Sequence, residues 1–457
     1  MKRTKIVCTI GPSSNTPAML KKMVKAGMNV ARLNFSHGTH ESHGAIIKMI
    51  RQVEKEMHTT IGMIQDLQGP RIRIGDLTRE IPVKKGQKIM VVPESDFNDE
   101  MKNTIPCQYE ELYKDVKKGH HILIADATID LKITGIKGNT VLTVVEVGGT
   151  IKTHKGINVP GASLRAPSIT QKDKKDALFG IAQKVPYIAM SFVKNGQEVR
   201  EFRQYMLKYT KTPPAIVAKI ERPEAIKNIK GIIEEVDVIM VARGDLGTEC
   251  DAQQVPILQK DLIAACIAAE KPVIVATQML ESMITNRRPT RAEVSDVANA
   301  VFDHTDATML SGESASGAYP IEAVSMMSTT IQAAEDSKYD VAGCPPNAPR
   351  MDGEELCSII NSRNIGAVVC NNVPVETIAS LCALRQRLPI FVLAKNGLIR
   401  EKLSLYRGVY AFETIPQLLK QVSGLSGKNN KNSILLYTKK AYSIEKMSAI
   451  HLTKLLK

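Results

Sequence analysis

Six short segments of this 457-residue chain set reactive side chains at the ends of apolar runs. One reads Arg32-Leu33-Asn34-Phe35-Ser36-His37. A second ends in Asp66, with Arg71 and Arg73 just beyond, and a third is Lys219-Ile220-Glu221-Arg222. The others are Arg243-Gly244-Asp245-Leu246-Gly247, Thr277-Gln278 and Ser311-Gly312-Glu313-Ser314. Arg32, Arg73 and Lys219 are cations suited to phosphoryl oxygens. Glu221 and Asp245 are hard oxygen donors, and two carboxylates completed by substrate oxygens are a usual way to hold Mg2+ or Mn2+. No histidine joins that pair, which disfavours zinc. Gly244 lets a ligand approach the backbone, and amides leading into the next helix can hold an anion. Cations beside a two-carboxylate metal site point to phosphoryl transfer, in which a protein mainly positions groups and neutralises charge.

Each group alone has a plainer reading. A single Lys or Arg at a strand end is usually solvated or ion-paired. Asp245 can cap a helix. Lys219 and Glu221 alternate along a strand and face one side, so they can form one structural ion pair. His37 can be an ordinary loop histidine. The coincidence across six segments is what favours chemistry for the set.

The elements that must carry these groups alternate regularly. Strands are expected at Lys5–Ile10, Val30–Phe35, Ile61–Gln65, Tyr187–Phe192, Ala215–Ile220, Asp237–Ala242, Pro272–Thr277 and Ala307–Leu310. Helical patterns follow at Thr16–Ala26, Thr39–Met57, Gln171–Lys184, Gly196–Tyr209, Glu224–Ile229, Val255–Ala269, Arg291–Phe302 and Ile321–Glu335. The strands are nearly continuous runs of Val, Ile and Ala, as strands buried on both faces should be. Eight such units imply a (β/α)8 TIM barrel, with its functional groups at the carboxyl ends of the strands. An open doubly wound sheet is the alternative, but Gly11-Pro12-Ser13-Ser14 is no dinucleotide fingerprint.

The rhythm breaks after the third strand for too long to be a loop. The expected organisation is therefore a barrel in two parts (1–72 and 157–343), an inserted small β-rich lid domain (73–156) and a C-terminal α/β domain (344–457). The insert carries strand patterns at Ile89–Val92, Ile122–Ile124, Ile129–Ile136 and Val141–Val147. The third unit follows the linker-like Cys344-Pro345-Pro346-Asn347-Ala348-Pro349.

Composition sets the outer bounds. With 43% apolar and 24% charged residues the chain is an ordinary globular protein. No apolar run reaches the ~18 residues of a membrane span, and the N-terminus lacks the h-region of a signal peptide. Eight scattered cysteines without a CxxC make structural disulfides and a zinc ribbon unexpected. The expectation is a cytoplasmic protein without membrane contact. Net charge is +14, of which residues 344–457 carry 16 Lys and Arg against 7 Asp and Glu. Such a surface attracts anions or is simply a solvated face. The chain has no Trp and only 4% aromatic residues, which leaves few stacking platforms, so no nucleic-acid partner is expected.

The segments Met28–Gly38 (MNVARLNFSHG), Val217–Glu221 (VAKIE), Val241–Gly247 (VARGDLG), Ala276–Met283 (ATQMLESM) and Pro289–Val301 (PTRAEVSDVANAV) resemble the pyruvate kinase family. Gly156–Gly161 (GINVPG) and Thr308–Glu313 (TMLSGE) do so too. The resemblance covers about 1–343 well and 344–457 weakly. It implies phosphoryl transfer from phosphoenolpyruvate to ADP, with Mg2+ or Mn2+. Lys219, Arg32, Arg73 and Thr277 would be catalytic. Arg32, Lys219, Ala242, Arg243, Gly244, Asp245 and Thr277 would bind phosphoenolpyruvate, and Asn34, His37, Arg73 and Asp126 the nucleotide. Glu221 and Asp245 would hold the divalent metal, and Ser311 and Glu313 would serve a proton relay with Thr277. Family members are commonly homotetramers; the divergent third unit leaves a dimer open.

Two departures from the family pattern matter. After the third strand the family reads Asp-Thr-Lys-Gly-Pro-Glu, whereas this chain has Asp66-Leu67-Gln68-Gly69-Pro70-Arg71. In the family, residues matching Asn34, Ser36 and Asp66, with that Thr, cradle K+. Here Arg71 is expected to supply the charge instead, so that K+ is not required. The hydroxyl-rich effector loop of the third unit is replaced by Cys370-Asn371-Asn372-Val373-Pro374-Val375-Glu376, so fructose-bisphosphate activation of the usual kind is not expected. Two other functions compete: a lyase or mutase acting on phosphoenolpyruvate or pyruvate, and a non-catalytic paralogue binding RNA or a protein through the basic third unit.

Overall fold

Short apolar runs, each closed by a turn or a capped helix, set the architecture. The computed structural model describes residues 1–125, 127–162, 165, 167–341, 357–360, 362–363, 365–425, 433–438 and 442–446. Eight parallel strands form a closed barrel: β1 (Lys5–Thr9), β2 (Val30–Asn34), β3 (Gly62–Asp66), β4 (Tyr187–Met190), β5 (Ala215–Ile220), β6 (Val238–Ala242), β7 (Val273–Ala276) and β8 (Ala307–Leu310). Each strand pairs with its neighbours in sequence, and β1 pairs with both β2 and β8. Closure leaves no edge strand and excludes the open-sheet alternative.

Alternation along the strands explains why the runs read as continuous. Val7, Val30, Ile64, Val217, Met240, Ile274 and Met309 fill one cluster. Their neighbours Ile6, Ala31, Met63, Ala218, Val241, Val275 and Leu310 pack in another with the helices. Both sets are shielded from water, so the strands are mostly apolar on both faces.

Threonine and asparagine caps start many of the helices. Thr39, Thr170 and Thr290 each form a capping box with the residue three positions on, which satisfies otherwise orphaned N–H groups. The box at Thr170 has a second function. Asp173 accepts the Thr170 N–H through Oδ2 and the Gly69 N–H through Oδ1 at 3.1 Å, fixing the loop after β3. Gly69 has φ +67° and lies so close to Ser191 that a Cβ would come within 2.8 Å of it, so only glycine fits.

Two helices depart from the sequence pattern. The helix expected at Glu224–Ile229 is split at Asn228 into Pro223–Lys227 and Ile229–Glu235. The segment after β6 is helical at once, over Arg243–Glu249, ahead of the helical pattern expected from Val255.

Between β3 and the helix Gln171–Ala182 the chain builds two more sheets. Ile81–Val83 pairs with Gly149–Ile151. The larger sheet has six strands, in the order Ile157–Asn158, His121–Ile124, Ile129–Lys137, Thr140–Val147, Lys88–Pro93 and Thr104–Cys107, over its own apolar cluster. The four expected strands are present; the short outer ones carry too few residues for a recognisable alternation. The C-terminal sheet runs Val409–Phe412, Ile390–Leu393, Ile365–Asn371, Ser433–Tyr437 and Tyr442–Lys446, with only the last antiparallel. Clusters on both of its faces mark an open α/β arrangement. The expected linker 344–349 lies outside the described residues. Cys357 is disulfide-bonded, contrary to expectation, whereas Cys8, Cys107, Cys250, Cys266, Cys370 and Cys382 are free.

The C-terminal sheet is fastened to the base of the barrel by buried charge. Arg385 grips Asp306 with two bonds of 2.7 Å each, and the Arg407 N–H adds a third at 3.1 Å. Removing one partner of a buried pair strands the other. Arg385→Ala is therefore expected to destabilise the protein by about 3–5 kcal/mol, read as a lowered urea midpoint; a loss under about 1 kcal/mol, the scale of an exposed pair, would contradict this packing.

Candidate active site

In five of the strands the inward-facing set ends in a polar group. Val30 is followed two residues on by Arg32 and then Asn34; Ile64 by Asp66; Val217 by Lys219 and then Glu221; Val7 by Thr9; Met309 by Ser311. A period of two keeps these residues on one face. The strand order sets β2, β3, β4 and β5 side by side. Arg32, Asp66 and Lys219 thus meet at one mouth.

Charge alternates through the cluster. Arg32 Nε donates to Asp66 Oδ2 at 2.6 Å and Arg32 Nη1 to Thr9 Oγ1 at 2.9 Å. Lys219 Nζ lies 3.5 Å from Asp66 Oδ1 and 2.9 Å from Glu221 Oε1, and donates to Ser191 Oγ at 2.9 Å. Glu221 Oε2 accepts the Phe192 N–H at 2.7 Å. Asp66 is 1% exposed and Glu221 is fully buried. Burial works against the Asp66 charge, but Lys219 and Arg32 outweigh it and hold the carboxyl below its ordinary range. Burial likewise opposes the Lys219 charge, and Asp66 and Glu221 raise the ammonium above its usual value. Glu221 goes the other way: burial pushes its carboxyl up to about 6, Lys219 pulls against this, and Asp245 adds to it.

Asp245 sits in the first turn of Arg243–Glu249 and is half-buried, near enough to bear on both Lys219 and Glu221. Three carboxylates thus surround two cations, an excess of negative charge that suits a divalent ion. The buried Glu221 Oε1 faces Lys219 Nζ at 2.9 Å and has no other partner among the described residues. Among the described residues no cluster of three or more His, Cys, Asp or Glu is placed to hold a metal. Glu221 and Asp245 therefore fit Mg2+ or Mn2+ only as a two-carboxylate site finished by substrate and water oxygens.

At the ends of β4 and β7 the backbone is strained. Phe192 (φ +57°), Thr277 (φ +70°) and Gln278 (φ +53°) lie in the left-handed region, at a cost of about 1–3 kcal/mol each. The turn at Phe192 aims its N–H at Glu221. The turn at Thr277 lets its Oγ1 accept the Gly244 N–H at 2.7 Å while donating to Ala276 O. Arg243 braces this second turn. Its Nη2 donates to Thr277 O at 2.8 Å and its Nη1 to Asp296 Oδ1 at 2.8 Å. Its guanidinium is thus committed to the scaffold, and only its backbone, with those of Ala242 and Gly244, remains for a ligand.

The other expected residues are placed as follows. Asn34 Oδ1 accepts the Ser36 N–H at 3.1 Å, and His37 is exposed with its carbonyl accepting from His43 Nε2 at 2.8 Å. Glu313 is 2% exposed, and its two oxygens accept the Ser311 and Leu280 N–H groups at 2.7 and 3.1 Å. Arg73 pairs across to Gly156 as an isolated bridge and donates to His154 O at 2.9 Å; burial, then the neighbouring Arg71 charge, lowers its guanidinium. The Arg71 guanidinium lies against the backbone of Gly156. Asp126 lies outside the described residues. Sequence reasoning missed Thr9, Ser191 and the Phe192 amide, which end β1 and β4; the same strand-end rule, applied to all eight strands, finds them.

A closed barrel with two cations interleaved among three carboxylates at its carboxyl-end mouth defines a phosphotransferase of the (β/α)8 class. Residues 1–324 match the family model described as "Pyruvate kinase, barrel domain". The chain is 41% identical over 421 residues to a pyruvate kinase of Bacillus licheniformis, covering 90% of this chain and 72% of that one. It is 39% identical over 419 residues to one of Clostridium acetobutylicum, covering 90% and 88%. A solved pyruvate kinase from Cryptosporidium parvum superposes with a TM-score of 0.89 at 34% identity, over 98% of this chain and 96% of that one. The chain belongs to the pyruvate kinase family, enzymes of glycolysis.

The cluster's electrostatics are testable without substrate. Lys219→Met removes the cation that lowers Glu221, so the Glu221 carboxyl should titrate above about 6. Carbon-13 NMR, assigned by difference against Glu221→Gln, reads the midpoint; an unmoved or lowered midpoint would contradict the 2.9 Å contact.

Proposed function

We propose that this chain transfers the phosphoryl group of phosphoenolpyruvate to ADP in a metal-dependent reaction, giving pyruvate and ATP. The observation that carries the reading is Lys219 held between Asp66 and Glu221, beside Asp245, at the barrel mouth. In the reaction the bond from phosphorus to the enol oxygen breaks and one to a β-phosphate oxygen of ADP forms. The enolate left behind takes a proton at carbon. Lys219, kept protonated by its two carboxylates, offers fixed positive charge to the phosphoryl group and the enol oxygen. Arg32, oriented by Asp66 and Thr9, does the same from the opposite side, and Arg73 addresses the nucleotide phosphates.

Glu221 and Asp245 are the residues that would hold the divalent ion, which when bound neutralises charge on the substrate oxygens. Thr277 and the backbone of Ala242, Arg243 and Gly244 receive the carboxylate, exchanging the bond now made between Thr277 Oγ1 and Gly244 N–H. The proton for the enolate carbon comes from water held near Thr277 and Ser311, whose backbone Glu313 pins. A raised Lys219 pKa makes Lys219 a poor proton donor, which supports a relay elsewhere. Asn34 and His37 border the nucleotide, with Asp126 from the inserted unit, which acts as a lid that excludes water.

Turnover without K+ is part of the same proposal. Leu67 puts a buried apolar side chain, 1% exposed, where the family has a hydroxyl ligand. Asp66 is already committed to Arg32 and Lys219, and Asn34 Oδ1 to the Ser36 amide. Arg71 adds a fixed positive charge close to Arg73. The proposal takes the cytoplasm as its place of action and a homotetramer, or else a dimer, as its assembly; among the described residues no helix is long and apolar enough to cross a membrane.

Two measurements check these readings. Lys219→Met should lower turnover in a coupled pyruvate assay by at least about 10²–10³-fold, with phosphoenolpyruvate affinity by calorimetry kept within about tenfold. Substantial residual turnover would sink the role of Lys219. Replacing K+ by Na+ or tetramethylammonium should leave turnover within about twofold, and a many-fold loss would refute K+ independence.

A further inference from the structure

One contact outside the cluster of cations and carboxylates joins the inserted unit to the barrel mouth. Asn158 Nδ2 donates to Glu249 Oε1 at 2.9 Å. Asn158 ends the short strand Ile157–Asn158 of the six-stranded sheet and is 8% exposed. Glu249 closes the helix Arg243–Glu249, whose first turn carries Asp245. The two side chains make no other hydrogen bond among the described residues. Burial raises the Glu249 carboxyl, while the Asn158 bond and the Arg222 charge pull it down. Arg222 is itself buried, with its guanidinium 5.0 Å from the centre of the Phe192 ring. Glu249 is thus a carboxylate kept out of water, with a nearby cation and one partner, and that partner belongs to the insert. A bond from a charged acceptor is stronger than one between neutral groups, which suits it to fix an orientation.

The strand that Glu249 pins is the seam of the nucleotide side. The Ile157 N–H donates to Ile72 O at 2.9 Å, and Gly156 is bridged to Arg73. On the other edge Ile157 pairs with Ile124 and Asn158 with Leu123, and the Ala125 N–H donates to Gly156 O at 3.1 Å. Residues 156–158 therefore lie between the segment that carries Arg71 and Arg73 and the strand that leads in sequence to Asp126. The Arg71 guanidinium also rests on Gly156. A shift of these three residues relative to the helix Arg243–Glu249 would move Arg73 relative to Asp245.

We propose that Glu249 is a positioning residue for the nucleotide: its bond to Asn158 sets the spacing between the helix that carries Asp245 and the segment that carries Arg73. The proposal rests on the phosphoryl-transfer reading, in which Arg73 addresses the nucleotide phosphates and Asp245 the metal. Glu249 touches neither substrate. It acts through Asn158, by holding the acceptor oxygen of ADP in line with the phosphoryl group. Transfer between two bound substrates depends steeply on such alignment, and a misplacement of about 1 Å can cost about 10²-fold.

Steady-state kinetics on the full chain test this. Glu249→Ala should raise the KM for ADP at least about fivefold and lower kcat at least about tenfold, with the KM for phosphoenolpyruvate kept within about twofold. Glu249→Gln keeps an acceptor for Asn158 Nδ2 and should return both values to within about threefold of the unaltered chain. Asn158→Ala should reproduce Glu249→Ala, and the double variant should be no worse than either alone within about twofold, since each removes the same bond. Asn158→Ala leaves Glu249 beside Arg222 and carries the test if Glu249→Ala does not fold. An unmoved KM for ADP in the single variants, equal rises for both substrates, additive losses in the double variant, or no recovery with Gln would overturn the proposal. The unaltered chain separates the two levels. If it forms no pyruvate from phosphoenolpyruvate and ADP, the phosphoryl-transfer reading fails and the proposal with it; if it does and the variants match it, only the role of Glu249 fails.

Discussion

Lys219 is the ammonium on which the site depends. It is buried, and a buried cation without partners would lose its proton or disrupt the fold. Asp66 at 3.5 Å and Glu221 at 2.9 Å keep it charged. Arg32 in turn keeps Asp66 ionised. None of these groups is stable alone, and each needs a neighbour from another strand. The closed barrel is what supplies those neighbours, because closure fixes the register of β2, β3, β4 and β5 around one axis.

The same constraint explains the strain nearby. Burial raises Glu221 to about 6, and Lys219 offsets this only in part. The left-handed turn at Phe192 brings one backbone N–H to it. The turn at Thr277 is held by Arg243, whose guanidinium is used up in bracing it. Strained backbone at the ends of β4 and β7, over-determined by its surroundings, is the form in which active sites commonly store conformational energy. Asp66, Glu221 and Asp245 set against Arg32 and Lys219 leave a net negative charge that suits one small divalent cation.

Much of this was legible in the sequence because the physics is local. Core runs such as Ala215–Ile220 and Val238–Ala242 read as strands since every residue in them is apolar up to the strand end, apart from the functional Lys219. Parity then placed Lys219 and Glu221 on one face, and the strand-end rule brought Arg32 and Asp66 to the same mouth. What stayed hidden depends on long-range geometry. The strand-end rule flags Thr9 and Ser191 as candidates, but which cation each one meets depends on another strand. A β-branched Thr277 at φ +70° contradicts its own preference, so its bond to Gly244 has no local signal. Arg243 looks like a ligand-binding cation until Asp296 and the carbonyl of Thr277 claim it. Asn158 and Glu249 stand 91 positions apart in sequence, and only the packing of the inserted unit against the barrel brings them together.

The most direct test of the central claim is anomalous diffraction from crystals grown with Mn2+ and oxalate. A single Mn2+ peak within coordination distance, about 2.0–2.3 Å, of carboxylate oxygens of both Glu221 and Asp245, with Lys219 Nζ on the oxalate side, is the predicted result. A Mn2+ ion bound elsewhere, or one that touches only one of the two carboxylates while Lys219 faces away, would contradict the account.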